Sequence, residues 1–352
     1  MSPCARPTPT TRDSLTRAAC HSVTMATALE RRTDVCAQPW SAAWTQASNA
    51  FWSSERPESH FRTSAGPIMA RYIVFEIESL AVQVLDDLTV IDIGAGGGEL
   101  LGDVARLLPQ PLRDRVHLIG VDVRCPVGDT SWISARVPGD LGVAPVTGIV
   151  MAHEWLDEIA CDVAIRHGEC DYLLLVDTNG NEQRGPDLRD DAACARLGVD
   201  AAAARDWLAR WWPLREDGDR AEIGIARDEA WQWMTSLLGR GVALASDYAH
   251  DREARLSRYR KGTLAGYRHG RLVRPAADGC VNLTAHVAAD ACAATVPGTA
   301  CHRQRDILSA PIPLPPASDS MAYAEALSLR SARAMLRDPN GPGSFTWLRW
   351  ER

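Results

Sequence analysis

The residues best suited to chemistry lie in two short stretches. The first is Asp92-Ile93-Gly94-Ala95-Gly96-Gly97-Gly98, an acidic residue followed by glycines at alternate positions. Without a Cβ, glycine lets the chain turn sharply and lets a ligand approach the backbone, and N–H groups at the start of a helix can hold an anion. The second is Ala152-His153-Glu154-Trp155-Leu156-Asp157-Glu158, whose carboxylates can bind a cation and orient its nitrogen. His153-Glu154 is not the start of a His-Glu-x-x-His zinc site, because Asp157 stands where the second histidine is required.

The glycine stretch admits several readings. A Gly-Lys-Ser/Thr phosphate loop is excluded, since no such triplet follows. Counted from Gly94, the third glycine of a nicotinamide fingerprint would be Glu99, a poor neighbour for a pyrophosphate. S-adenosylmethionine (SAM) needs only an adenosine against the turn and a carboxylate on the helix start, which Gly94, Ala95, Gly96 and Gly98 after Asp92 can provide. Asp122 lies where an acceptor for two ribose hydroxyls is expected, with Asp140 as the alternative, and His153 is placed with the cofactor residues. A tight strand-to-helix connection without a ligand is the competing reading. For Asp157 the competing role is a helix cap.

These residues need elements to position them. Leu88 to Ile93 reads as a short buried strand, Glu99 to Leu108 as a helix and Val116 to Val123 as a second strand, one βαβ unit with parallel strands. Further strands are expected at Gly148 to Ala152 and Gly241 to Asp247, which makes the fold α/β with a doubly wound, mostly parallel sheet. The acidic stretch then falls at the carboxyl edge of that sheet, where open α/β folds bind ligands. Between these strands an insertion of about 85 residues must have its own structure. It predicts a hairpin over 160–183, turning at Asp177 to Asn181, then helices near Asp200 to Trp212 and Asp228 to Leu238, with Trp207, Trp211, Trp212, Trp231 and Trp233 as insertion core. Tryptophans at 40, 44 and 52 predict a helical region over 35–88, broken by a polar turn from Ser59 to Pro67. The alternation from Ser344 to Trp350 predicts a half-buried terminal strand. The expected divisions are a tail over 1–34, the helical region 35–88, a cofactor core 89–160, the insertion 161–240 and the rest of the core 241–352.

A net charge of −7 argues against general nucleic-acid binding, which needs a basic surface. The local exception is Arg255 to Arg274, where arginines and Lys261 are interleaved with Tyr259 and Tyr267. It is read as a lid or partner surface rather than an RNA site. Ten cysteines without a Cys-x-x-Cys pair suggest reduced thiols. No apolar run reaches the roughly 18 residues that span a bilayer. The expected compartment is the cytoplasm, or the mitochondrion if residues 1–34, rich in Ser, Thr and Arg, act as a transit peptide.

Three segments in order, His60-Phe61-Arg62-Thr63-Ser64, Ile149 to Val163 and Gly262 to Ala288, resemble the MidA-like family of SAM-dependent methyltransferases, to which the mitochondrial complex I assembly methyltransferase belongs. The glycine turn has low specificity. Glu154-Trp155-Leu156-Asp157 and Leu283-Thr284-Ala285-His286 are more specific. The resemblance covers most of the chain after Phe51 and implies a class I Rossmann-like methyltransferase with a large insertion, SAM as cofactor and a protein arginine as acceptor. His153, Ala160 and Ala249 depart from the family, which prefers Asn, Pro and Gly there. Two other classes remain in play: a catalytically silent SAM-binding assembly factor and an NAD-dependent oxidoreductase. His286 is either a site residue or a structural histidine.

Overall fold

The computed structural model describes residues 37–54, 66–124, 131–308, 320–339 and 341–352. The tail expected over 1–34 and most of the polar turn, Ser59 to Ala65 with His60-Phe61-Arg62-Thr63-Ser64, lie outside the described residues.

The central sheet has seven strands: β1 Leu88–Ile93, β2 Val116–Asp122, β3 Ser131–Ser134, β4 Val146–His153, β5 Leu238–Asp247, β6 Ala300–Arg303 and β7 Thr346–Glu351. Their spatial order is β6-β7-β5-β4-β1-β2-β3. Strands β1 to β5 pair in parallel, and β7 runs antiparallel between β5 and β6. The order reverses between β1 and β4, so a switch point opens at their carboxyl ends. The mostly parallel, doubly wound sheet matches expectation. The terminal strand does not: Thr346, Trp347 and Leu348 are consecutive and all buried, because both faces of the sheet are covered there, Trp347 packing in the core with α2 and α3 and Leu348 in the core with α4.

Four of the helices are α1 Trp40–Ser54, α2 Gly66–Ala81, α3 Glu99–Leu107 and α4 Ile225–Ser236. Successive strand residues face opposite sides of the sheet. Val90, Ile149, Met151 and Leu244 accordingly pack with α2 and α3 through Ile73, Ile77, Leu101 and Val104. Ile91, Val150 and Ala243 pack with α4 through Trp231 and Met234. Trp231, expected in the insertion, thus belongs to the sheet's own core, whereas Trp207 and Trp212 do pack within the insertion.

The insertion folds as a meander, not one hairpin. Strands Asp162–His167, Cys170–Val176 and Glu182–Asp187 run antiparallel in turn, because Gly168, at φ 57°, reverses the chain before the Asp177 turn does so again. Residues 201–211 form a helix whose cap is Asp200, accepting from Ala203 N at 3.0 Å. Helix α1 lies on this sheet: Trp40 and Trp44 are buried with Cys161, Val163, Leu174 and Leu283. The two helices of the region 35–88 therefore serve different cores. Strands Ala265–Arg268, Arg271–Val273 and Asn282–Thr284 make a further small sheet beside α1.

Candidate active site

The glycine turn links β1 to α3 at the switch point. Gly94, Gly96 and Gly98 have φ of 71°, 56° and 82°, a region that L side chains rarely adopt. A Cβ on Gly98 would stand 2.7 Å from the Trp132 ring. Asp122, at the end of β2, accepts from Gly96 N at 3.0 Å, so turn and acid are held together. Burial raises the pKa of Asp122, opposed by backbone hydrogen bonds led by that of Gly96. Asp92 is buried beneath the turn, and burial followed by the charge of Asp122 pushes its pKa up to about 8. Ala95 N donates to Val121 O at 3.2 Å. Asp140 is exposed in the loop after β3 and accepts from Gly142 N at 2.8 Å, so the structure does not join it to the turn.

The acidic stretch leaves the adjacent strand β4 at the same edge. Trp155 lies against Gly94, where an added Cβ would be 3.0 Å from its ring. Glu154 has φ 52°, an uncommon conformation for a side chain that costs about 1 to 2 kcal/mol. It persists because Glu154 N donates to Ser246 O at 2.9 Å on β5. His153 Nε2 lies 3.3 Å from Glu154 Oε1. Asp157 is buried at 4% exposure on a single 3-10 turn, Leu156–Glu158, rather than as the cap of a long helix.

Tertiary structure adds residues that spacing did not reveal. Asp247, also buried, accepts from Asp157 N at 3.1 Å across 90 positions. Burial first, then the charge of Glu154, raises the pKa of Asp157 to about 7. Burial and the charges of Asp157 and Glu154 hold that of Asp247 well above the usual carboxylate range. Glu158 is raised to about 8 by burial and Asp157, and accepts from Trp52 Nε1 at 3.1 Å and Asn282 Nδ2 at 2.9 Å. Asp157 Oδ1 is buried without a hydrogen-bond partner among the described residues. Tyr248 closes the cluster, its ring 5.9 Å from that of His286. Burial followed by Arg227 lowers the His286 pKa to about 4, which leaves it neutral at pH 7.

Arg227 on α4, 1% exposed, is the buried support of this arrangement. It donates to Ile159 O at 3.1 Å, Ala285 O at 2.7 Å, His286 O at 2.9 Å and Asp157 O at 2.8 Å. One guanidinium therefore ties the acidic turn to the Leu-Thr-Ala-His segment. Replacement by alanine would strand several buried carbonyls at about 1 to 3 kcal/mol each. Arg227→Ala is expected to lose about 3 kcal/mol or more in urea unfolding. A loss under about 1 kcal/mol would mean that solvent can satisfy those carbonyls.

A doubly wound sheet with a glycine turn after β1, an acid ending β2 and an acidic turn after β4 defines a Rossmann-like enzyme that binds a nucleoside cofactor at the switch point. The chain belongs to the family described as "Putative S-adenosyl-L-methionine-dependent methyltransferase", which matches residues 68–305. It is a SAM-dependent methyltransferase, in keeping with the MidA-like resemblance, and the NAD reading falls away. Two crystal structures are similar in fold, both of Burkholderia thailandensis proteins. One, bound to S-adenosyl-homocysteine, has a TM-score of 0.71 at 18% identity over 99% of this chain and 95% of that one. The other, a native structure of an uncharacterized protein, has a TM-score of 0.68 at 18% identity over the same shares. No curated protein matches the chain.

The residues present fit SAM. Helix α3 opens at Gly98 with no side-chain cap, which leaves its first amides for a carboxylate. Asp122 sits beside the turn where hydroxyl donors of a ribose can be accepted. When bound, SAM supplies a methyl group on a sulfonium.

Proposed function

We propose that the methyl acceptor is a guanidinium, carried by a protein arginine. The observation that carries this reading is the buried pair Asp157 and Asp247 beside the partly exposed Glu154, with Asp157 Oδ1 unsatisfied near the cofactor turn. Uncompensated buried carboxyls are costly, and a cation with several N–H donors relieves both the charge and the vacant acceptor. Arg227 meets that need only in part: its charge lowers the pKa of both Asp157 and Asp247, but its hydrogen bonds go to the backbone carbonyls of Ile159, Ala285, His286 and Asp157 and leave Asp157 Oδ1 vacant. The role of Glu154 and Asp157 is to bind the guanidinium, turn one nitrogen toward the cofactor side and hold the positive charge while it reacts. Glu154, at 29% side-chain exposure, is also open enough to receive the proton that leaves the nitrogen.

The test is radiolabelled methyl transfer to lysate proteins, followed by hydrolysis to amino acids. Label in N-methylarginine is expected. Label in methyl-lysine or in small molecules alone would replace the acceptor. A pH effect accompanies it. Raised pKa values mean that the free cluster is partly protonated near pH 7, and a bound cation favours the ionised carboxylates. Binding therefore releases protons, and affinity for the small guanidine agmatine should rise roughly five- to tenfold from pH 6 to pH 8. Titration calorimetry in two buffers of different ionisation enthalpy reads both quantities. Affinity that is flat or falls with pH would remove the carboxylate cluster from the acceptor site.

A further inference from the structure

The small sheet of residues 265–284 carries a row of side chains with no role so far. Tyr267 is paired with Leu272 on one side and with Asn282 on the other, and directly opposed residues share a face. The row therefore runs Leu272, Tyr267, Asn282 from the sheet edge inward. Exposure falls along it from 69% at Leu272 to 1% at Asn282. At the inner end Asn282 donates to Glu158, in the acidic turn. Tyr267 is near enough to Asp157 for that carboxylate, after burial, to raise its phenol pKa. One end of the row is solvent and the other is the carboxylate cluster.

The outer strand Arg271–Val273 pairs only with Ala265–Arg268, so its far side has no strand partner among the described residues. Arg268 and Arg271 oppose each other at the turn, and both are exposed in a chain of net charge −7. Neither forms an ion pair among the described residues. An unpaired edge with an exposed leucine is a template for an added strand, and the arginine pair at its turn end selects acidic neighbours.

We infer that this edge docks the substrate protein: an acidic, extended segment adds alongside Arg271–Val273, covers Leu272 and directs its cationic side chain along Tyr267 and Asn282 to the carboxylates. The inference rests on the guanidinium reading of the acceptor site.

The experiment compares agmatine with a short synthetic peptide in which a central arginine is flanked by alternating glutamate and valine. It uses the wild type, Leu272→Glu and the double variant Arg268→Glu/Arg271→Glu, all changed at exposed positions. The peptide KM is expected to rise about tenfold or more in each variant, the scale of a lost interface contact. SAM affinity and agmatine turnover should stay within about twofold, since agmatine needs only the cluster. Unchanged peptide kinetics in both variants would overturn the inference. So would tighter wild-type binding of an oligouridylate than of the peptide, which would assign the edge to RNA. If the wild type methylates neither guanidine, the guanidinium reading fails by itself, and fluorescence anisotropy of the labelled peptide then decides the docking edge: weaker binding by the variants supports it and equal binding overturns it.

Discussion

Gly96→Val is expected to fold and to lose at least about a hundredfold in SAM affinity, roughly 2.7 kcal/mol. Gly96 has φ 56°, and its N–H donates to Asp122 at 3.0 Å. A valine there pays the left-handed penalty of about 1 to 2 kcal/mol in a residue whose branched Cβ makes it stiffer still. To escape, the turn must shift, and the shift breaks the contact that holds Asp122 beside the turn. The branched side chain would also stand where the adenosine must approach the backbone. The central sheet should tolerate the change, because the turn lies at its edge and Gly96 is only half-buried. Gly102→Ala on α3 is the control, since an added Cβ there meets nothing within 4 Å. Calorimetric titration with SAM, beside a thermal melt, reads both effects. A folded Gly96→Val protein with wild-type affinity would sink the placement of the cofactor.

Glu154→Gln separates binding from transfer. The substitution keeps the side chain's shape and its backbone anchor on Ser246 while removing one charge from the cluster. If Glu154 acts on the acceptor, as proposed, SAM affinity should remain within about threefold of wild type. The transfer rate should fall by about a hundredfold or more, which is about 2.7 kcal/mol at the barrier. The loss is concentrated in the rate because alignment and charge are needed more tightly in the transition state than in the bound ground state. Equal losses in affinity and rate would move Glu154 to the cofactor site. An unchanged rate would make it a structural acid whose strained backbone has another purpose.

Much of the cofactor half was legible before folding because it is local. A run of apolar residues from Leu88 to Ile93, three spaced glycines and the periodic helix from Glu99 specify a strand, a turn and a helix by short-range sterics and burial alone. Asp122 follows from the length of one βαβ unit. Glu154 and Asp157 were visible as acids at a strand end, and the structure brings them to the same sheet edge as the turn.

What remained hidden depends on contacts between distant positions. Asp247 ends a strand that lies beside β4 only because an insertion of about 85 residues returns the chain to that place. Arg227 looks like any helical arginine, since its partners are backbone carbonyls and carbonyls are the same in every residue. Helix α1 has the stripe of a core-facing helix, but a stripe does not say which core it meets, and it meets the insertion's. The terminal strand alternates like a half-buried one, yet its consecutive residues Trp347 and Leu348 enter cores on opposite faces of the sheet. Local pattern determined which elements form and which face of each seeks burial. The order of the strands, and with it the gathering of three carboxylates beside the glycine turn, was decided by tertiary packing, because burial is nonspecific and only the complete set of partners selects one arrangement.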